Sequence, residues 1–390
     1  MIDNEFMARH RLMDCTRCGN ECASACPVFR HYGTYHPQQL AHLLISGGVG
    51  AARDHRLIWT CVTCRACTES CPFKVEFADV VRELRIGRTD SRPVFGGLIH
   101  QYQRMQAGRV AGSRGAAADS AEALAAVKAR LSWLDGSVDV NAGSDIVLFA
   151  GCLTLFDAVS GGAGEESFGG MARASVRILN ELGVSPAIVE DERCCGRDLY
   201  DLGERDAFKA LARHNIEAIK KTKAKTVLTV CPECAYTLKE TYAAEFGAQP
   251  FEVRHITEFV ASSGPSLRFD EGEERFAFHD PCYLCRSLGV SDAPRQLLAA
   301  LSSEKLVELE RRGAGAPCCG AGSWVNHGPH TRTAVQERLR EAHRCGAEVL
   351  VTACPKCTLL HAEVSPAGSW RQSPVVVRDL ITLAASRIRR

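Results

Sequence analysis

The spacing of apolar residues changes character along the chain. Beyond residue 145, short apolar runs alternate with stretches whose apolar positions recur every three or four residues. Ile146–Ala150, Val227–Val230, Phe276–Phe278 and Val349–Thr352 are the runs, and each predicts a short buried strand. The amphipathic stretches Glu204–Lys221 and Thr331–Cys345 predict helices, and Phe251–Ser262 and Val375–Ser386 each predict a strand followed by a helix. Strands alternating with helices predict a parallel α/β sheet. The order of elements occurs twice, so two repeated α/β units related by a pseudo-twofold are expected, with their cysteine loops facing each other.

The first 145 residues read differently. Pro37–Ile45 predicts a helix. Ala107–Ala118, rich in Gly, Ala and Arg, predicts a linker. Leu124, Val127, Leu131 and Leu134 predict a helix over Asp119–Leu134, and Gly136–Ser144 a turn-rich connection. The expected architecture is α+β and multidomain: an α-helical domain over residues 1–105, a linker and connecting helix over 106–144, and two repeated α/β domains over 145–265 and 266–390.

Composition narrows the function. The 390 residues carry 47 Lys and Arg against 46 Asp and Glu, a net charge of +1, which argues against a dedicated nucleic-acid binder. Residues 1–115 hold 15 basic and 10 acidic side chains, and the remainder nets −4. A hydrophobic content of 46% and a charged content of 24% exclude a disordered chain. Residues 1–11 lack the apolar core of a signal peptide. The longest apolar run, Ile146–Phe156, is well short of the ~20 residues a spanning helix needs. A cytoplasmic protein is expected, free or peripheral on the inner face of the membrane through a partner. Structural disulfides are rare in that compartment, so the 20 cysteines point to metal.

Eight cysteines lie in the first 71 residues. Cys61, Cys64, Cys67 and Cys71-Pro72 follow the bacterial ferredoxin spacing for a cubane [4Fe–4S] cluster. In two-cluster ferredoxins the fourth cysteine reaches the other cluster. A companion run, Cys15, Cys18, Cys22 and Cys26-Pro27, has one extra residue in its middle gap. The expected ligand sets are therefore Cys15, Cys18, Cys22 and Cys71 for one cubane, and Cys61, Cys64, Cys67 and Cys26 for the other. Zinc is the competing metal, but it favours two Cys-x2-Cys pairs rather than two quartets ending in Cys-Pro.

Each repeat then offers five thiols: Cys152, Cys194, Cys195, Cys231 and Cys234, and Cys282, Cys318, Cys319, Cys354 and Cys357. Adjacent cysteines diverge, which suits two irons of one larger cluster better than a single tetrahedral ion. Gly196 and Gly320 permit tight turns that bring backbone N–H groups to sulfur. Pro232 and Pro355 suit a first helical turn, whose N-terminus favours an anionic thiolate assembly.

These two quartets and two five-cysteine sets resemble the heterodisulfide reductase family, in particular its D-type component, in which a dicluster ferredoxin-like part is fused to two Cys-Cys-Gly domains. The resemblance covers nearly the whole chain apart from residues 105–140. It implies a noncubane [4Fe–4S] cluster on each five-cysteine set. It implies disulfide chemistry at Cys194, Cys195, Cys318 and Cys319. It also implies an electron route from the two cubanes, fed by a flavoprotein, ferredoxin or cytochrome b-type partner, to a small-molecule or protein disulfide. Related iron–sulfur subunits serve glycolate, lactate and glycerol-3-phosphate oxidation, so a relay between a flavin dehydrogenase and a quinone-linked partner is the second expectation. A zinc-binding interaction module is the third.

Gly47-Gly48-x-Gly50 and Gly161-Gly162-x-Gly164 lack a strand–turn–helix context and are expected to be loops rather than flavin sites. His279 and His327 are candidate proton donors, set against capping or surface roles. Glu233 and Lys356, inside the Cys-Pro-x-Cys turns, are expected to be exposed loop charges. Cys285 is either an extra ligand or a buried thiol, and Cys345 is expected to close a helix.

Overall fold

A computed structural model describes residues 4–33, 36–88, 97–108, 129–161, 164–263, 267–302, 305–325, 328–364 and 375–389. The two repeats fold into matching four-stranded parallel sheets. The first comprises β1 (Ile146–Leu148), β2 (Ala187–Ile188), β3 (Thr226–Thr229) and β4 (Glu252–His255), in the order β2-β1-β3-β4. The second comprises β5 (Phe276–His279), β6 (Leu306–Val307), β7 (Val349–Thr352) and β8 (Val376–Asp379), in the order β6-β5-β7-β8. Val147 pairs with Val227 in one sheet and Ala277 with Leu350 in the other. These central strands are apolar on both faces because helices cover both, as parallel sheets require.

The two copies interlock reciprocally. Helix Phe168–Glu181, which follows β1, packs against the last helix of the other copy, Leu380–Ser386. Helix Asp292–Ser302, which follows β5, packs against the last helix of the first copy, Ile256–Ser262. That exchange is a pseudo-twofold relation, and the buried core runs through both copies without a break. The residues closing β4 and β8 also act alike. His255 Nδ1 accepts from the Thr257 N–H, and Asp379 accepts from the N–H groups of Ile381 and Thr382, so each caps the helix that follows.

The N-terminal part is helical. Glu21–Ala25 packs on Ala66–Ser70, bringing the two cysteine runs together, and Pro37–Asp54 packs on Phe77–Arg85. Leu40, Leu44, Val80 and Val81 are fully buried there.

Two expectations change, and two strands go unforeseen. The Pro37–Ile45 helix continues to Asp54, so Gly47, Gly48 and Gly50 lie within it and not in a loop; Gly48, at φ 75°, marks a kink. Of the helix expected over Asp119–Leu134, residues 119–128 lie outside the described residues, and 129–133 form turns. The strands β2 and β6 are only two residues long, too short for an apolar run to announce them.

Candidate iron–sulfur sites

The cysteines gather in four places. One small cavity is lined by Cys15, Cys18, Cys22 and Cys71, and touches Cys67. A second is lined by Cys26, Cys61, Cys64 and Cys67. The crossing has a local cause. Each Cys-Pro turn ends a short helix in extended backbone, at Cys26 (ψ 116°) and Cys71 (ψ 123°), so the last thiol leaves its own run and joins the other.

The five-cysteine sets are continuous chains of touching thiols. In the first copy Cys194 contacts Cys152 and Cys195, and Cys234 contacts Cys195 and Cys231. In the second, Cys318 lies 3.9 Å from Cys282 and also contacts Cys319, and Cys357 lies 3.4 Å from Cys319 and also contacts Cys354. Both sets sit at the C-terminal ends of parallel strands, where loops converge in α/β folds. Gly196 (φ 82°) and Gly320 (φ 93°) turn back so that their N–H groups donate to Cys194 Sγ at 3.5 Å and to Cys318 Sγ at 3.3 Å. Pro232 and Pro355 open the helices that carry Cys234 and Cys357.

The electrostatics call for a cationic guest. All 20 cysteines are free thiols. Burial, with Cys71, Cys22 and Cys18 adding, pushes Cys15 up to about 12, and burial pushes Cys26 up to about 12. Crowded buried thiolates repel one another, and metal binding is what relieves that cost. Two thiols go the other way. Hydrogen bonds from Cys318 and Cys357 pull Cys319 well below its usual range. Cys64 is pulled down to about 6, chiefly by the hydrogen bond from Cys318, with Arg286 adding against burial. This contact links the second quartet to the second five-cysteine set. Arg286 braces it, donating to the Cys64 carbonyl at 3.0 Å and to the Ala314 and Ala316 carbonyls.

The three parts meet at a buried polar junction that the sequence did not announce. Asp201 accepts from Arg82 at 2.6 Å, from Arg197, and from the hydroxyls of Thr63 and Ser323 at 3.0 Å each. Those residues come from the dicluster region, the first copy and the second copy. Burial raises the Asp201 carboxyl, but Arg197 and Arg82 outweigh it and hold the group well below the usual carboxylate range. Tyr283 also reaches Asp201, at 3.5 Å. Backbones approach closely here too. A Cβ on Gly203 would stand 2.5 Å from the Arg85 carbonyl carbon, and one on Gly322 would stand 1.9 Å from the Val62 oxygen.

Glu233 and Lys356 are not exposed loop charges. They occupy equivalent positions in the two Cys-Pro-x-Cys turns and are both buried. Lys356 Nζ lies 2.6 Å from Glu233 Oε2 and 2.5 Å from Asp198 Oδ1. Two positions left open at the surface by spacing alone are in fact paired across the pseudo-twofold. Asp198 also accepts from Gln103, whose amide reaches Cys194 Sγ at 3.3 Å.

The remaining candidates separate. Cys285 is a buried thiol that donates to Asp280 Oδ1 at 3.1 Å, and burial followed by the Asp280 charge raises it far above its usual range. Cys345 caps helix Pro329–Arg344. His279 is buried beside His361, with ring centroids 4.5 Å apart. His327 lies outside the described residues. Among the described residues no three His, Cys, Asp or Glu side chains converge as a single-ion site, and no helix is long and apolar enough to cross a membrane.

Comparison with known proteins agrees with this layout. Residues 11–75 match the family described as a 4Fe-4S dicluster domain, and residues 146–239 and 276–360 each match a cysteine-rich domain. The dicluster match speaks for iron–sulfur clusters and against zinc. The chain is 28% identical to the D-type component of the dihydromethanophenazine:CoB–CoM heterodisulfide reductase of Methanosarcina barkeri, over 99% of this chain and 97% of that one. It is 26% identical to a probable membrane-anchored ferredoxin of Chromohalobacter salexigens, over 96% of this chain and 59% of the relative. It is 27% identical to an EtfAB:quinone oxidoreductase of Syntrophomonas wolfei, over 82% of this chain and 45% of the relative. The chain thus joins a 4Fe-4S dicluster domain to two cysteine-rich domains and, along its whole length, resembles the D-type components of heterodisulfide reductases, which are oxidoreductase subunits.

Proposed function

We propose that the chain is the subunit of a redox complex that reduces a disulfide, or forms one in reverse. The observation that carries this is the completeness of both five-cysteine sets, each a continuous chain of buried thiols. A pure relay needs no second copy of so unusual a set. Cysteines 15, 18, 22 and 71 would hold one cubane cluster, and 26, 61, 64 and 67 the other. The five-cysteine sets would each hold a noncubane cluster, with Cys194, Cys195, Cys318 and Cys319 nearest the chemistry. Bound [4Fe–4S] groups supply one-electron transfer.

The balance is R–S–S–R′ + 2e⁻ + 2H⁺ → R–SH + R′–SH, so electrons must arrive twice and protons must be delivered. The chain's own residues exclude water and fix the relative placement of the sets. Asp201 ties the three parts together, and Lys356 ties the two Cys-Pro-x-Cys turns. His279 is a poor proton reserve, because burial, His361 and Arg338 hold its ring neutral. The divisions 1–105, 106–144, 145–265 and 266–390 are proposed as the functional units. Electrons would enter from a flavoprotein, ferredoxin or cytochrome b-type subunit, with the chain in the cytoplasm or docked on the inner face of the membrane.

The second reading is an electron relay between a flavin dehydrogenase and a quinone-linked partner, favoured by the similarity to the EtfAB:quinone oxidoreductase. One experiment divides them. An anaerobically purified, reduced chain is mixed with oxidised thiol compounds and followed by EPR and thiol release. A new substrate-dependent signal with stoichiometric thiol supports the reductase, and their absence across a disulfide panel supports the relay.

A further inference from the structure

The two five-cysteine sets differ in the polar atoms around them. Beside the first set, three buried oxygens lack hydrogen-bond partners among the described residues: Glu192 Oε2, Thr154 Oγ1 and Gln103 Oε1. Thr154 follows Cys152 by two residues and Glu192 precedes Cys194 by two, while the Gln103 amide already donates to Cys194 Sγ. Arg130 Nε is also without a partner there, but its guanidinium acts on Glu192. Beside the second set, the unpartnered buried atoms are nitrogens: His279 Nε2, His361 Nε2, Arg286 Nη2 and Arg338 Nη2.

The histidines are specific to the second copy. His279 stands three residues before Cys282, where the first copy has Phe149, and His361 stands four after Cys357, where the first has Leu238. All four side chains are buried. The tautomers follow from their other contacts. Arg338 Nε donates to His279 Nδ1 at 3.1 Å, so the proton of a neutral His279 ring sits on Nε2. His361 Nδ1 lies 2.7 Å from the Cys357 carbonyl and donates to it. A buried N–H left without an acceptor is costly, and an acceptor is expected to come to it. His361 is near enough to Cys319 to act on its charge, Arg286 acts on Cys282 and Cys318, and the His279 ring packs on His361, which brings its N–H to the same end of the set.

We propose that His279 Nε2–H donates to the iron–sulfur group of the second five-cysteine set, and that this set is the more readily reduced of the two. Hydrogen bonds to cluster sulfurs and nearby positive charge stabilise the electron-rich state. The first copy has Phe149 and Leu238 at the two histidine positions and so lacks this ring donor. Electrons passing from the second quartet through the Cys64–Cys318 contact then settle beside the histidines. The inference rests on the proposed cluster ligation.

The test is an EPR-monitored redox titration of the anaerobically reconstituted full chain, with iron and sulfide counted per chain. Wild type is expected to show two components from the five-cysteine sets at separate midpoints. His279→Phe, which installs the first copy's residue, moves the higher component to lower potential and leaves the lower one in place. His279→Gln, which retains an N–H donor, restores it. If the phenyl ring prevents loading, His279→Met carries the same prediction. A higher component that stays put in loaded His279→Phe or His279→Met, or two components that move equally, overturns the inference. A wild-type chain that binds no iron at the five-cysteine sets would instead remove the ligation on which it rests.

Discussion

The two cysteine-rich copies share a strand order, a cysteine pattern and a helix exchange, yet they are not interchangeable. The first supplies acids to the shared interior, namely Asp198, Asp201 and Glu233; the second supplies Lys356, the hydroxyls of Tyr283 and Ser323, and the buried His279–His361 pair. The second also touches the cysteine quartet of the dicluster region directly, through Cys64 and Cys318. Fold symmetry builds two similar cysteine sets, and the residues between the cysteines surround each with different charge. The difference teaches that ligand spacing alone does not define a redox site, because the neighbours of the ligands are not repeated with them.

Substitutions can break this comparison at graded cost. The largest loss is expected from Cys195→Ser or Cys319→Ser. Each should abolish disulfide reduction while the absorbance of the two quartet clusters persists, and either variant that keeps full activity would sink the proposed site.

Next come the buried ion pairs. Asp201→Asn leaves buried Arg197 without its counter-charge and Arg82 with only the half-exposed Asp79, and removal of one partner of a buried pair costs about 3–5 kcal/mol. Chemical denaturation of the reconstituted chain reads it. The pH dependence has a definite sign. A carboxyl held below its unfolded value stabilises the fold fully above about pH 4 and loses that contribution as pH falls towards its folded value. Wild type should therefore lose stability below about pH 4, and Asp201→Asn should show a flatter acid limb. Lys356→Met should be of similar size, since Glu233 and Asp198 would remain buried without their cation. Burial already raises Glu233 to about 7 despite Lys356.

A smaller effect is expected from Gly203→Ala, where φ is 79° and the new methyl group would meet the Arg85 backbone. Overpacking of this kind costs roughly 1–3 kcal/mol, and hydrogen exchange at Arg85 and Ile86 would report the loosened seam. The least effect on iron belongs to Cys285→Ala. That thiol already donates to Asp280, so iron and sulfide per chain should not change. A loss of about four irons would make it a ligand after all.

Much of this was legible in the sequence for physical reasons. Strands β1, β3, β5 and β7 are buried on both faces and so read as unbroken apolar runs. Chemical necessity fixes cysteine spacing, so the four groupings stand out. The two-residue strands β2 and β6 were not legible, because hydrogen bonding to a neighbour defines them rather than any apolar pattern. Gly48 misled for the opposite reason: a glycine triplet suggests a loop, but neighbours on the Pro37–Asp54 helix hold it in a kinked helix. Glu233 and Lys356 looked exposed because a charged residue in a turn usually is. Their partners lie in the other repeat, and no local spacing reveals a contact 123 residues away.

The most direct measurement of the central claim is the metal and sulfide content of the full chain purified or reconstituted without oxygen. Four [4Fe–4S] sites predict roughly sixteen irons and an equal number of acid-labile sulfides per chain, falling by about four in Cys319→Ser. Zinc without sulfide, or a saturated value near eight irons unaffected by Cys319→Ser, would contradict the assignment of the two five-cysteine sets.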